Sequence, residues 1–322
     1  MRKKGYHHRG LAGPKGPTES VDTPHQVRRS VVLLLSLVVA CAAATAAHAS
    51  QLIDRNANDV SLSVNDKGEA LITYTAAGRV RHVLAWGAVN AIAPTPSRQQ
   101  VAFHLDYAGG WGKYHRDYWK TFGGSCGAYD GPPLAWQVLA CKAPDGSYWA
   151  LQAWQRGLPN YGVVPTGIQG AWELRLSHWT GALPVLDIEM DWSWHRFDHL
   201  FGTLTYGGTA VYGYRSTSSG APLDTFGRNV YVDTFDSQYG PGWHRENSFL
   251  THTGTGAFCY SFNPHGAHPA GKGLKYRATV EGPGVTPDVM WEGVSPGSYS
   301  RAADAQANTA IANLDDRQCK PN

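Results

Sequence analysis

The sequence predicts an all-β protein, an antiparallel β-sandwich of the jelly-roll-like kind with one short C-terminal helix. Three observations support this prediction. About a dozen short segments alternate apolar with polar residues, and turn residues separate them roughly every eight to twelve positions. Glycine and tryptophan are abundant, with 37 and 12 copies, whereas methionine occurs only 3 times. The chain also lacks the strand–helix–strand alternation that a parallel sheet requires.

Residues 50–97 predict an N-terminal β-hairpin region. The alternating segments 61–64 and 70–74 flank residues 65–68 (NDKG), a turn-rich tetrapeptide typical of a hairpin. Residues 81–91 predict a third strand. Residues 93–97 (APTPS) then interrupt the pattern, because proline fixes φ and lacks a donor N–H. We therefore place a connector there.

Residues 98–322 predict the main β-sandwich domain with a C-terminal helical tail. Its first strand, 101–107, precedes a long loop, 109–131, that is rich in Trp and Tyr. A loop of this length is usually functional or cross-linked. Further strands are predicted at 136–141, 148–154, 171–178, 186–192, 201–206, 210–215, 229–234, 248–252, 257–262, 275–280 and 289–292. The segment 300–314 is Ala-rich and free of Gly and Pro, which predicts a surface helix.

Residues 1–49 have the features of a signal peptide. Arg28 and Arg29 precede the apolar run 31–40, and small residues continue to the A-x-A sequence 47–49. We expect cleavage after Ala49 and a secreted, extracellular protein. A lipobox-like sequence ending at Cys41 gives an alternative, a lipoprotein anchored at that residue. The apolar run is too short to span a membrane, so no transmembrane segment is expected after cleavage.

The net positive charge of the chain belongs to the leader. Residues 1–49 carry seven of the 28 Lys and Arg but only two of the 25 Asp and Glu, which leaves 21 basic against 23 acidic residues. The remaining chain has no basic run that could follow a phosphate backbone, so we expect no nucleic-acid partner. It has no Walker or dinucleotide-binding motif, and no cofactor is predicted.

Four cysteines follow the leader, and an even number in an exported chain predicts disulfides. Three pairings are possible. We favour the local one, Cys126 with Cys141 and Cys259 with Cys319, which pins the aromatic loop and attaches the C-terminal tail. A zinc site is the alternative, but the chain contains no C-x-x-C pair and no metal is predicted.

The densest chemical signal is a strand that carries three carboxylates on one face, Asp187, Glu189 and Asp191. Their spacing resembles the Glu-x-Asp-x-Glu signature of the laminarinase-like glycoside hydrolases, which are concave β-jelly rolls. The resemblance implies that Asp187 is the nucleophile and Asp191 the acid/base, with Glu189 tuning both. Both outer positions are Asp here, where the family has Glu. A calcium site and a solvated strand face are the alternatives.

Aromatic side chains give a second kind of candidate site, because planar rings in a groove stack on sugar faces. The candidates lie in or beside loops: Trp111, Trp119, Trp192, Trp194 and Trp243. The alternative is that these rings belong to a β-sandwich core.

The histidines give weaker evidence for a functional site than the carboxylates or the aromatic side chains. His195 and His199 have a spacing that could hold a metal on a helix, although the flanking residues predict strands. We instead expect a packed aromatic corner in which Asp198 pairs with Arg196. His265 and His268 fall in a Pro- and Gly-rich loop and are expected at the surface.

As a whole the chain resembles the uncharacterised secreted proteins of actinobacteria, a resemblance that implies no activity. Three functions stay open. The first is a non-catalytic protein that binds extracellular polysaccharide or cell envelope through aromatic side chains. The others are a glycoside hydrolase that uses the acidic strand, and a structural or protein-interaction module.

Overall fold

The computed structural model describes residues 50–92, 101–211, 215–216, 222–223, 229–250, 255–265, 273–314 and 319. Its strands pair antiparallel throughout, and its longest helix is short and C-terminal, so the predicted fold class is confirmed. The predicted leader, the lipobox cysteine Cys41, the boundary at residue 97 and His268 lie outside the described residues.

Nine strands between residues 51 and 179 build a first sandwich. They are β1 (Gln51–Arg55), β2 (Asn58–Val64), β3 (Glu69–Ala76), β4 (Arg79–Trp86), β5 (His104–Asp106), β6 (Gly127–Ala128), β7 (Gln137–Lys142), β8 (Tyr148–Trp154) and β9 (Glu173–Trp179). One sheet has the order β1-β9-β8-β7-β6 and the other β2-β3-β4-β5. Side chains from both sheets, including Ile72, Tyr74, Trp149 and Leu176, form one hydrophobic core.

A second sandwich follows with its own core. Its strands are β10 (Val185–Ser193), β11 (Phe197–Tyr206), β12 (Thr209–Ala210), β15 (Asn229–Ser237), β16 (Gly240–Leu250), β17 (Ala257–Phe262), β18 (Lys275–Val280) and β19 (Val289–Val294). β11 pairs with β10, β12 and β17, and the facing sheet has the order β16-β15-β18-β19. Leu200, Val232, Phe258 and Ala278 pack between these sheets. The short strands β13 (Arg215–Ser216) and β14 (Pro222–Leu223) pair with each other.

Local turn chemistry explains several strand connections. The side-chain oxygen of Asn65 accepts hydrogen bonds from the N–H groups of Lys67 and Glu69 at 3.0 Å each, which closes the predicted β2–β3 turn. Gly207 and Gly208 connect β11 to β12 with φ of 57° and 74°. Two consecutive positive φ values define the primed turn that suits a two-residue hairpin, and glycine adopts them without strain.

Two helices and three short 3-10 turns complete the described structure. Helix α1 is Trp111–Tyr114, and the turns are Tyr118–Lys120, Asn160–Gly162 and Gly167–Gly170. Helix α2, Arg301–Asn313, begins after Ser300, whose hydroxyl accepts a hydrogen bond from the N–H of Ala303. Ala307 and Ile311 on α2 pack with Phe201 of β11. Among the described residues, no helix combines the length and apolar character that a membrane crossing requires.

The structure contains the predicted disulfides, Cys126–Cys141 and Cys259–Cys319. The first joins the loop before β6 to β7. The second joins β17 to the segment after α2, and Cys319 lies beside Phe201 and Ile311. Both therefore attach otherwise peripheral segments to the sheets.

We expect removal of the second disulfide to cost more stability than removal of the first. Its cysteines are 60 residues apart, against 15 for the first. On the loop-entropy account the losses are about 4 and about 3 kcal/mol respectively. Urea unfolding of the two double Cys→Ala variants measures both values, and a larger loss for the 126/141 variant contradicts this ranking.

The two sandwiches meet at a network of buried polar groups that we call the polar seam, made of Ser50, Arg156, Glu173, Arg175, Glu281 and Asp288. Strand β9 is buried on both faces, which explains why its burial does not alternate. Leu174 and Leu176 enter the first core, whereas Glu173 and Arg175 belong to the seam. The Arg175 guanidinium lies 2.9 Å from Glu173 and 2.7 Å from Glu281.

Candidate functional site

The long aromatic loop lies on the outer face of the sheet β2–β5, anchored by one carboxylate. Glu69, the first residue of β3, has a side chain only 2% exposed. It accepts hydrogen bonds from the Lys113 ammonium at 2.6 Å, the Tyr118 hydroxyl at 3.0 Å and the Asn65 amide at 2.8 Å. The Tyr114 hydroxyl is a fourth donor. The loop is therefore attached to the sheet through hydrogen bonds to this one carboxylate.

The protonation states at this anchor are well defined. Burial alone raises the pKa of Glu69, but hydrogen bonds from Lys113, Tyr114, Asn65 and Tyr118 outweigh it and lower the pKa to about 2. Burial, together with the neighbouring Glu69, raises the pKa of Tyr118 to about 12. At neutral pH an ionised Glu69 carboxylate therefore accepts from the neutral hydroxyl of Tyr118.

Beside this anchor lies a group of rings and polar side chains that we call the aromatic face: Trp86 and His104 of the strands, and Trp111, Lys113 and Trp119 of the loop. The Lys113 nitrogen lies 4.3 Å from the centre of the Trp86 ring, which is a cation–π distance. Trp86 also stacks on His104 at 5.5 Å. The Trp111 side chain on helix α1 is 53% exposed.

The loop backbone approaches the rings closely at two glycines. Gly109 and Gly110 have φ of 63° and 100°. A Cβ on Gly109 would lie 2.8 Å from the Trp119 ring, and one on Gly110 would lie 2.7 Å from Tyr118. Trp119 in turn stacks on His82 at 4.0 Å between ring centres. Glycine is needed here for both space and conformation.

The acidic strand has the predicted alternation in the structure. Leu186, Ile188 and Met190 of β10 contact the second core. Asp187 and Glu189 are exposed on the other face, and Asp191 is half-buried. β10 is an edge strand next to helix α2. Residues four apart on a strand have Cα atoms about 13 Å apart, so the strand spreads these carboxylates rather than converging them.

Metal binding at the acidic strand or at the His195–His199 pair gains no support from the geometry. Within the part of the chain that the structure describes, no group of three or more His, Cys, Asp or Glu side chains could hold a metal ion. His199 is buried in β11 and its Nδ1 lies 2.7 Å from the Ser193 hydroxyl, whereas His195 is exposed. Burial lowers the pKa of His199 to about 4.

We expect Glu189→Gln to change the free energy of unfolding by less than about 0.5 kcal/mol, as most surface substitutions do. The Glu189 side chain is exposed, and the residue opposite it on β11 is Phe201. Urea unfolding at neutral pH measures this, and a loss above about 1 kcal/mol would show that the carboxylate has a structural role.

The five tryptophans predicted to bind ligand lie at three separate places. Trp111 and Trp119 belong to the aromatic face. Trp192 and Trp194 flank the β10–β11 turn, where they contact Tyr299 and His199 edge to face. Trp243 of β16 lies 4.3 Å from the Arg277 guanidinium. Only the first place combines a strongly exposed ring with a rigid anchor.

A buried cluster of Asp198, Glu246, His265 and Tyr276 in the second sandwich was missed by the sequence analysis. The His265 ring lies 2.8 Å from Glu246, and the Tyr276 hydroxyl donates to Asp198 at 3.2 Å. Burial raises the pKa of Asp198 to about 6. The surface placement of His265 was wrong, since its side chain is fully buried.

The expected pairing of Asp198 with Arg196 was also wrong. Asp198 is the second residue of β11 and points into the sandwich, whereas Arg196 is exposed in the turn and lies over Phe197 at 4.7 Å. The alternation of strand β11 could have indicated this, because Asp198 has the same parity as the core residues Leu200 and Leu204.

One cavity of about 290 Å³ opens near the junction of the sandwiches. It is lined mainly by apolar side chains and proline, and its lining residues include Leu134, Leu186, Asp288 and Met290. Asp288 is the only titratable residue in that lining. The cavity therefore lacks the convergent polar groups that typify a catalytic cleft.

Comparison with known proteins gives no match: no family model, no curated protein and no solved structure is similar to this chain. The function must therefore be argued from the residues themselves.

Proposed function

We propose that this protein is exported and binds extracellular polysaccharide or cell-envelope glycan through the aromatic face. One observation carries the proposal: the Glu69 anchor holds a loop on which Trp111 is 53% exposed, and Lys113 of the same loop lies over Trp86, which stacks on His104. An exposed large ring is costly in water, and a rigid one is suited to stack on the apolar face of a sugar.

The polar groups around these rings suit the hydroxyls of a sugar. Asp106 accepts the backbone N–H groups of Ala108 and Lys113 and lies at the rim of the same loop. His104 is exposed at the edge of β5. Together with the Lys113 ammonium, these groups offer donors and acceptors around an apolar platform, which is the usual composition of a ligand site.

Preorganisation favours binding by this surface. Three hydrogen bonds from the loop to Glu69 and the tight packing at Gly109 and Gly110 fix the loop before any ligand arrives. A binding surface that is already ordered loses little conformational entropy on association. The cross-link Cys126–Cys141 fixes the far end of the loop.

The other two functions have less support. The acidic strand displays Asp187 and Glu189 on an exposed edge, and neither residue lines the 290 Å³ cavity. A purely structural module would bury its tryptophans, as happens for Trp149, Trp154 and Trp179, whereas Trp111 is exposed on a loop that the Glu69 anchor holds in place.

The test is a panel of soluble and insoluble polysaccharides scored both for binding and for release of reducing ends. We expect binding of at least one polysaccharide without release. Release of reducing ends that disappears in Glu189→Gln would instead support the hydrolase, and absence of binding across the panel would remove the proposal. Intact mass of the exported protein tests the proposed export, since cleavage after Ala49 gives a chain that begins at Ser50.

A further inference from the structure

The residue expected to become the N-terminus is fully buried in the polar seam. Ser50 is 0% exposed and directly precedes β1, which pairs with β9. Its hydroxyl donates to the Asp288 carboxylate at 2.6 Å and accepts from the Arg175 guanidinium at 2.8 Å. Chain ends usually lie at the surface, so this placement requires a specific reason.

Among the three carboxyl groups of the seam, that of Asp288 lies farthest from a guanidinium group. Its nearest is Arg175 at 3.6 Å, whereas Glu173 lies within 3.0 Å of Arg55, Arg156 and Arg175, and Glu281 lies 2.7 Å from Arg175. The side chains of Arg175 and Asp288 are 1% and 0% exposed. A buried group of this kind is stable when an opposite charge compensates it.

The position of Ser50 would supply that charge. In any serine the α-nitrogen lies within about 4 Å of the side-chain oxygen, because three covalent bonds separate them. Since the Ser50 oxygen is 2.6 Å from Asp288, its α-nitrogen lies within about 7 Å of that carboxylate. Opposite charges at this distance interact strongly away from water.

We propose that cleavage of the peptide bond after Ala49 creates a structural site, in which the new α-ammonium group of Ser50 binds in the polar seam against Asp288 and Glu281. A protease of the export machinery hydrolyses the bond with one water, leaving a carboxylate on Ala49 and an ammonium on Ser50. Processing thereby completes the contact between the two sandwiches. This rests on the proposed export, but not on glycan binding.

Other contacts stabilise the ionised form of Asp288. It accepts the Trp154 indole N–H at 2.8 Å and the Gly282 N–H at 3.0 Å. Burial raises the pKa of Asp288, so a further cation nearby favours its ionised form. Gln152 binds the backbone of the same residue through both its donor and acceptor, at 2.9 Å each.

The experiment compares two secreted proteins made from full-length chains. One is the natural sequence, and the other has a single alanine inserted after Ala49, so that Ser50 is no longer terminal; intact mass verifies each start. We expect the inserted chain to melt at least about 5 °C lower at pH 7. The advantage of the natural chain should diminish as the pH rises above about 8, because its stabilising ammonium loses the proton. Equal melting temperatures contradict the proposal.

A double-mutant cycle separates charge pairing from crowding by the extra residue. Asp288→Asn should lower the melting temperature of the natural chain clearly more than that of the inserted chain. If the Asp288→Asn variant does not fold, Glu281→Gln takes its place. Asp187→Asn, on an exposed side chain, is the control and should affect both chains equally. Equal losses for Asp288→Asn or Glu281→Gln in the two chains overturn the site. A mature start other than Ser50 overturns the processing step, whatever the polysaccharide panel gives.

Discussion

Replacing Glu69 with Gln should destabilise the protein by about 3 kcal/mol and weaken polysaccharide binding at least tenfold. The substitution keeps the shape but removes the charge that receives Lys113, Tyr114 and Tyr118. Hydrogen bonds to a charged group contribute about 1.5–3 kcal/mol each, and the substitution also removes the ion pair with Lys113. Urea unfolding and equilibrium binding measure the two effects.

The pH dependence of this effect has a definite sign. The pKa of Glu69 is lowered from 4.5 to about 2 in the folded protein, so its contribution is present above pH 4.5 and is lost as the pH falls toward 2. The difference in melting temperature between wild type and Glu69→Gln should therefore shrink over that interval. Glu189→Gln, the same chemical change on an exposed side chain, is the control. Equal stability of the two variants would contradict the anchor.

Replacing Arg175 with Met should have the largest effect on stability, about 3–5 kcal/mol, or on the order of 10 °C in melting temperature. The Arg175 side chain is 1% exposed and contacts Glu173, Glu281 and Asp288. Methionine fills a similar volume but leaves three carboxylates together in the interior. Removing one partner of a buried ionic network costs more than the network contributes as a whole.

Arg55→Met is the matched control for this substitution. Arg55 also binds Glu173, at 2.9 Å, but its side chain is 37% exposed at the rim of the seam. An exposed ion pair contributes about 0–1 kcal/mol, so this variant should stay close to wild type. Calorimetry of both proteins tests the contrast. Losses of similar size would mean that the burial of Arg175 does not determine its importance.

The fold could be predicted from the sequence where its signals are local. The alternation of Leu186, Ile188 and Met190 identified the face of β10 that enters the core, and the NDKG turn identified the β2–β3 hairpin. The favoured disulfide pairing is also present in the structure. Strand periodicity and turn chemistry act over a few residues, which is why they can be recognised in the sequence alone.

The sites depend on contacts between residues that are distant in sequence. Glu69 and its partners Lys113 and Tyr118 are 44 and 49 positions apart, and Ser50 and Asp288 are 238 apart. No local pattern marks such pairs. The Asp198 cluster was missed for the same reason, because Tyr276, to which it is bonded, lies 78 positions away. Among the five candidate tryptophans, the sequence did not indicate that Trp111 alone is strongly exposed.

Binding of a polysaccharide from the panel by wild type, Trp111→Ala and Trp172→Ala tests the central claim most directly. Trp172 is the matched control, since it is 47% exposed but precedes β9, away from the aromatic face. A ring stacked on a sugar should contribute enough that Trp111→Ala raises the dissociation constant at least tenfold, about 1.4 kcal/mol, while Trp172→Ala stays within about twofold. Unchanged affinity in Trp111→Ala, or an equal loss in both variants, would contradict binding at the aromatic face.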